Sequence, residues 1–557
     1  MKARLSLALV AVSVCLDARA ATVAPVAGDS AMVVSAQHLA TKVGVDVLKA
    51  GGNAVDAAVA VGYALAVVYP AAGNLGGGGF MTLRLADGRK TFIDFREKAP
   101  LAAKRDMYLD GKGNVVPNAS LLGHLAVAVP GTVSGLEYAR AKYGTMARER
   151  LVAPAIALAA EGFVLLDGDS RSLRSVAKDL GKDPPSAAIF LDKGEAPRVG
   201  ARLVQRDLAR TLREISSQGA DGFYKGRVAE AIVASNRAGG GILSMEDLAA
   251  YAPRELTPVE CDYRGYHVIS APPPSSGGVI VCEILNVLEG YPMGQWGARS
   301  PQAIHHHIEA MRHAYVDRNG HLGDPDFVKN PVARFLDKEY AARIRATIAA
   351  EKATPSASLR LGAAPHEGTN TTHYSIIDAA GNAVAVTYTL NESFGARVTA
   401  AGTGVLLNDE MDDFTIKLGA ANLFGLVQGE PNLIEPGKRP LSSMSPTIVT
   451  REGKLAMVLG TQGGSRIISA VVHTLVNLID YGMDVQQAVD APRFHQQWMP
   501  EETLVERDAI APATRRILEA RGHRFRDGRS QDWMCAIVVR DRFYAASAAR
   551  GCFALGY

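Results

Sequence analysis

Apolar residues recur every four positions at Leu39, Val43 and Val47, and the pattern stops at Gly51-Gly52, which predicts a helix with Ser35 as its cap. Asn53 then caps a second helix, with Asp56 three residues on, where a carboxylate favours a helix start. This second run, "AVDAAVAVGYALAVV" from Ala54, is short and carries a charge in its first turn, so it reads as a buried helix and not as a membrane span. Further on, "FMTLRLADGRKTFIDFRE" alternates about Asp87-Gly88, predicting two strands with Arg96 at the end of the second. Between helix and strands lies "GNLGGGG", residues 73–79. It lacks both the G-K-[ST] ending and the G-x-G-x-x-G spacing, so close backbone approach at a packed turn is expected there, not a phosphate loop.

From about residue 130 to 350 the periodicity is mainly helical. His305, His306, His307 and His313 fall in one such helix, where three adjacent side chains point in different directions and cannot converge on one ion; solvated or core-satisfied histidines are expected. "SVAK", with Ser175 and Lys178, matches S-x-x-K but lacks the S-D-N and K-T-G elements of a serine acylase. After residue 370 the pattern turns to strands, "THYSIID", "NAVAVTYTL", "KLAMVLGT", "CAIVV" and "FYAAS", with helices at 465–481 and 513–521. The Ala-, Ser-, Pro- and Gly-rich stretch 347–370 reads as an exposed connection, where a cut does least harm.

Composition narrows the class. The 557 residues carry 60 Lys+Arg against 57 Asp+Glu with no basic cluster, which argues against a nucleic-acid partner. "MKAR", the apolar "LSLALVAVSVCL", and Ala18 and Ala20 form a secretory signal expected to end at residue 20; Val14 before Cys15 disfavours a lipoprotein. Cys261, Cys282, Cys535 and Cys552 remain, too few for a disulfide scaffold and without the close spacing of a zinc site.

The chemistry gathers at "GTNTTHYS", residues 368–375. "DAAGN" predicts a three-residue hairpin loop ending in Gly381. If Asp378 pairs with Asn382, Thr371 falls opposite Thr389 on the same face. Alone, this is accounted for by cross-strand packing. A second possibility is cleavage between Asn370 and Thr371. The freed α-amino group, with an unperturbed pKa of about 7.7 to 8.0, then becomes a base within the nucleophile's own residue. Downstream, a strand, Gly463-Gly464 and a helix capped by Ser465 would offer backbone N–H groups to an oxyanion.

"TTHYS", "NAVAVTYTLN", "NDEMDDF", "KRPLSSMSPT" and "GGSRI", with "DFRE" far upstream, resemble the γ-glutamyltransferase (glutathione hydrolase) family of N-terminal-nucleophile hydrolases from about Ser35 to Tyr557. The resemblance implies an α+β fold, a four-layer αββα sandwich, as one unit built from two chains after autocleavage: a large subunit 21–370 and a small subunit 371–557 that form a heterodimer. It implies Thr371 as nucleophile, Thr389 in support, and Gly463 and Gly464 as oxyanion hole. Arg96, Ser442 and Ser443 would hold the α-carboxylate of a γ-glutamyl donor such as glutathione, and Asn391, Glu410 and Asp413 its α-ammonium. The acyl-enzyme ester would be opened by water or by an amino-acid or dipeptide acceptor, without metal or cofactor, in the periplasm or outside the cell. Residues 418–440 are similar to the family's lid, with Phe424 where tyrosine is frequent; Glu410 and Gln462 replace a glutamine and a proline of many relatives. Two other readings remain: a glutaryl (cephalosporin) acylase of the same superfamily, and a silent γ-glutamyl-binding protein.

Overall fold

The two N-terminal helices form at His38–Lys49 and Ala54–Val68. The first is capped by Gln37 and not by Ser35. Gln37 Oε1 accepts from the N–H groups of Leu39 and Ala40, while Ser35 still belongs to the strand Met32–Ser35 and donates its hydroxyl to the Gln37 carbonyl. Asn53 and Asp56 close a capping box at the second helix, all of which is buried. Its small residues admit close neighbours: Tyr388 Oη donates to the Gly62 carbonyl at 3.0 Å, and a Cβ at Gly62 would lie 2.9 Å from Tyr374 Oη.

The computed structural model describes residues 23–359, 371–420, 422, 426–528, 533–547 and 552–557. Two seven-stranded antiparallel sheets dominate them. The first runs in the order Phe553–Gly556, Met32–Ser35, Thr372–Ile377, Ala383–Thr389, Gly78–Arg84, Lys90–Phe95 and Arg254–Leu256. The second runs Val26–Gly28, Phe543–Ala545, Cys535–Val539, Lys454–Gly460, Thr447–Arg451, Tyr266–Ser270 and Val259–Tyr263. Each therefore mixes strands from both sides of residue 370.

Alternation along the strands sorts the core into layers. Val34, Ile377 and Ala385 of the first sheet meet Ile448, Val458 and Ile537 of the second between the sheets. On the outer face of the first sheet, Val33, Tyr374 and Val386 pack against the two N-terminal helices. On the outer face of the second, Val268, Val449 and Leu459 pack against the helices Gly277–Glu289 and Arg466–Ile479. This is the expected αββα sandwich.

The expected helical stretch also contains strands: the short pair Phe163–Val164 and Arg202–Leu203, and the longer run of Arg254–Leu256, Val259–Tyr263 and Tyr266–Ser270. The last two form a hairpin on Arg264-Gly265, with φ of 49° and 80°, the left-handed pair that a two-residue turn needs. The four cysteines among the described residues all pair, as Cys261–Cys282 and Cys535–Cys552. The separations of 21 and 17 residues make both bonds local staples on an ordinary hydrophobic core. The histidines serve the interior: His305 bonds His523 and the Ala349 carbonyl, His306 the Gln302 carbonyl, and the His307 ring packs on that of His473. Ser175 and Lys178 lie on the exposed side of the helix Asp167–Leu180, away from any cleft.

Candidate active site

The hairpin forms in the expected register. Thr372 pairs with Tyr388 and Ile377 with Ala383, Asp378 N–H donates to the Asn382 carbonyl, and Gly381 takes φ 87° in the loop. Continuing the ladder by one residue sets Thr371 opposite Thr389. Thr371 is 4% exposed and Thr389 2%. The glycine run lets the chain close around them: a Cβ at Gly77 would lie 1.9 Å from the Thr389 carbonyl, which accepts from Asn74 Nδ2 at 2.8 Å. Thr389 Oγ1 accepts from the Asn391 N–H at 2.8 Å, and Asn391 is held at φ 76°, a left-handed conformation that asparagine tolerates better than most residues.

The two threonines line a narrow cleft with about 310 Å³ of unfilled space, part of it open to solvent, together with Arg96, Asn391, Glu410, Asp413, Ser442, Ser443 and Gly464. Apart from Gly463, for which Gly464 and Ser465 face the cleft, the described residues expected at the site are brought together. Asn370 and Phe424 lie outside the described residues. Arg96 is fully buried, not a surface ion pair, and its two terminal nitrogens bond Glu410 and Asp413. The residues expected to hold opposite ends of a ligand are thus bonded to each other. Asp412 and Asp413 are likewise buried and do not form a solvated turn.

This cluster is over-supplied with carboxyls. Glu97, fully buried, approaches Arg96 Nη1 at 3.5 Å, and among the described residues both its oxygens, with Oε2 of Glu410, lack hydrogen-bond partners. Burial lowers the Arg96 guanidinium, and the fields of Glu410, Asp413 and Glu97 more than restore it. Burial pushes Glu410 well above the usual carboxylate range against the pull of Arg96. The same burial raises Glu97 to about 7. The folded state therefore keeps a proton on Glu97 that the unfolded chain releases near pH 4.5, so this carboxyl costs stability progressively as pH climbs from there to about 7. Glu97→Gln is expected to remove that loss. The melting temperature of the variant minus that of the native protein should rise with pH over this window and level off above it; a pH-independent difference would contradict the assignment.

Ser442 and Ser443 face the cleft from the segment that precedes the strand Thr447–Arg451. Ser443 Oγ accepts from Arg318 Nη2 at 2.9 Å. Arg318, which also lines the cleft, was not identified from the sequence. It lies in the helix Pro301–His321, buried along most of its length, so no change of pattern marks the residue.

Opposite the serines, Gly463 and Gly464 adopt φ of 129° and 57° ahead of the helix Arg466–Ile479. Among the described residues neither glycine N–H is bonded to an acceptor, so both remain able to donate, and Gly464 faces the cleft. Ser465 stands at the N-cap position as expected, but its side chain makes no capping bond; its hydroxyl donates to Gln497 Oε1 at 2.6 Å. Gly464→Ala would strain the left-handed turn and shift its N–H. A fall in kcat of about 100-fold is expected with the chain still folded, measured by steady-state kinetics and circular dichroism.

His373 shares the Thr371 face, yet it is no base for it. Its Nδ1 pairs with Thr387 Oγ1 at 2.8 Å and its Nε2 with Ser375 Oγ at 3.0 Å, and burial pushes the imidazole down to about 3.

Comparison with known proteins places these features in context. Residues 40–552 match the family model described as Gamma-glutamyltranspeptidase. The chain is 63% identical over 555 residues to a glutathione hydrolase proenzyme of Pseudomonas sp. (strain A14), covering 97% of this chain and 96% of that protein. It is 51% identical over 502 residues to the glutathione hydrolase proenzyme of Escherichia coli (strain K12), covering 90% and 86%. Among solved structures, a cephalosporin acylase from Bacillus halodurans superposes with a TM-score of 0.84 at 27% identity, covering 96% of this chain and 97% of that one.

Proposed function

The chain belongs to the γ-glutamyltranspeptidase family, and from that premise we propose how its residues divide the work of a γ-glutamyltransferase and glutathione hydrolase. The reading is carried by one observation: a buried threonine pair opens onto a cleft that holds guanidinium and carboxylate groups side by side. Such a cleft suits a zwitterionic end group attached to an acyl carbon.

Maturation begins with attack of Thr371 Oγ1 on the Asn370 carbonyl. The peptide becomes an ester as its nitrogen takes the hydroxyl proton, and water opens the ester to leave an Asn370 carboxylate and a free Thr371 amine. The products are a large subunit, 21–370, and a small one, 371–557. In catalysis that amine takes the Thr371 hydroxyl proton while Oγ1 attacks the γ-carbonyl of the donor, and the N–H groups of Gly463 and Gly464 hold the oxyanion. The proton passes to the departing amine. Water or an acceptor amine then opens the γ-glutamyl ester, so hydrolysis and transpeptidation share one intermediate. Thr389 orients the nucleophile, and His373, already neutral and bonded elsewhere, takes no part.

At the ligand end, Asn391, Glu410 and Asp413 take the α-ammonium, and Arg96, Ser442 and Ser443 the α-carboxylate. A glutaryl group lacks the ammonium and would leave the buried Glu410 and Asp413 with Arg96 as their shared counter-charge and no cation from the ligand, at a cost on the order of a few kcal/mol. Cleavage of a γ-glutamyl anilide and its glutaryl counterpart tests this: the γ-glutamyl substrate should be cut at least about 100-fold faster in kcat/KM, and preference for glutaryl would give the acylase reading the site.

No helix among the described residues is long and apolar enough to cross a membrane. Residues 1–20, outside the described residues, read as a secretory signal, and two disulfides suit an oxidising compartment, so periplasmic or extracellular residence follows.

A further inference from the structure

Arg318 differs from the buried Arg96, Arg312 and Arg439 in that no carboxylate among the described residues is committed to it. It is 1% exposed, and all four of its hydrogen bonds go to neutral oxygens: Nη2 to Ser443 Oγ and Nε to Ser276 Oγ, both at 2.9 Å, and Nη1 to Asn319 Oδ1 at 2.9 Å and Gln428 Oε1 at 3.3 Å. Among the described residues no carboxylate lies within 4.0 Å of it, whereas Arg96 holds Glu410 and Asp413, Arg312 holds Glu309, and Arg439 faces Asp94. A buried cation left in this state carries a desolvation cost that nothing in the unliganded protein offsets in full. Burial pushes the guanidinium down to about 10; the field of Asp413 pulls it up and that of Arg96 pushes it further down, and it remains charged at neutral pH.

The hydrogen-bond directions matter as much as the charge. Because Ser443 Oγ accepts from Arg318, the single proton of that hydroxyl is left to donate elsewhere, and Ser443 lines the cleft. Ser276 Oγ accepts from Arg318 Nε and donates in turn to the Ser442 carbonyl at 2.7 Å. One guanidinium thus fixes both serines, one directly and the other through Ser276. Arg96, by contrast, has both terminal nitrogens bonded to carboxylates that belong to the ammonium end.

We propose that Arg318 is a positioning and specificity-determining residue for the α-carboxylate: it turns the Ser443 hydroxyl into the cleft, steadies Ser442 through Ser276, and is the buried positive charge that the ligand carboxylate neutralises. The inference rests on the γ-glutamyl reading of the cleft and adds to it which cation discriminates for the carboxylate.

The experiment compares native protein, Arg318→Gln and Arg318→Lys on γ-glutamyl anilide and on 4-aminobutyryl anilide, which is the same molecule without its α-carboxylate. The ratio of the two kcat/KM values is read, with inhibition constants of L-glutamate and 4-aminobutyrate as a parallel measure. Arg318→Gln is expected to lower the ratio on the order of 30-fold or more, with Arg318→Lys between it and the native value. Appearance of the two mature chains in the denatured mass spectrum reports that each variant folded, since self-cleavage makes no use of a ligand carboxylate. If Arg318→Gln does not mature, Ser276→Ala is read in its place and should lower the ratio about threefold. Equal loss on both substrates, or an unchanged ratio, overturns the role of Arg318. A native protein with no preference between the two substrates overturns instead the γ-glutamyl reading on which the inference rests.

Discussion

Thr371→Ala should be purified as a single uncut chain with activity lowered by at least about a thousandfold, since on the proposed mechanism one hydroxyl serves both maturation and turnover. Denatured intact mass is the decisive measurement. The native protein is expected to give fragments of 350 and 187 residues, counted from Ala21 to Asn370 and from Thr371 to Tyr557. Thr371→Ser keeps a hydroxyl at the same place and should still be cut and active, more slowly. Cleavage at this bond in the alanine variant would show that another group makes the cut, and the double role of Thr371 would fall. The structure adds a reason for dependence on the free amine: the imidazole nearest in sequence, His373, is neutral, buried and bonded to Thr387 and Ser375.

Arg96→Gln comes next in expected size. The side chain is fully buried and holds Glu410 and Asp413 while facing Glu97, so its removal strands three carboxyls in the interior. A destabilisation of about 3–5 kcal/mol is expected near pH 8. Protonation of Glu97 and Glu410, both pushed above the usual carboxylate range by burial, should shrink this toward pH 5, because each neutralised carboxyl removes part of the penalty. Denaturant midpoints at the two pH values check the trend, and kcat/KM for a γ-glutamyl anilide should fall by about 100-fold or more where the variant is folded. A variant as stable as the native protein at pH 8 would mean that the carboxyls do not depend on Arg96.

The sequence made the facing of Thr371 and Thr389 legible because it is set locally. A hairpin loop ending in glycine sets the register, and the register alone puts Thr371 across from Thr389. Arg96 was legible as a strand-end residue, yet its pairing with Glu410 and Asp413 joins positions more than 300 residues apart, and no periodicity reports such a contact. Arg318 was hidden for a different reason. Its helix is buried on most sides, so polar residues in it break no amphipathic pattern and only a bonding map distinguishes one satisfied by serines from one satisfied by carboxylates. The hairpin at Arg264-Gly265 was lost inside a helical stretch because its turn lacks the Asn-Gly or Asp-Gly signal. Gln37 took the capping position from Ser35 because the strand runs on through the serine before the helix begins.

The way the strands interleave has a consequence for the life of the protein after the cut. Met32–Ser35 is held between Thr372–Ile377 and Phe553–Gly556, and Val26–Gly28 forms the edge beside Phe543–Ala545. Dissociating the two mature chains would mean dismantling both sheets, so dilution alone cannot separate them. The precursor can fold as one molecule, at a rate indifferent to its concentration. Once cut and denatured, the fragments must first find each other, so recovery becomes second order and competes with aggregation of unpaired strand edges. The proposed maturation would in this sense be a one-way door: it would free the Thr371 amine and remove the covalent connection through which the fold first assembled.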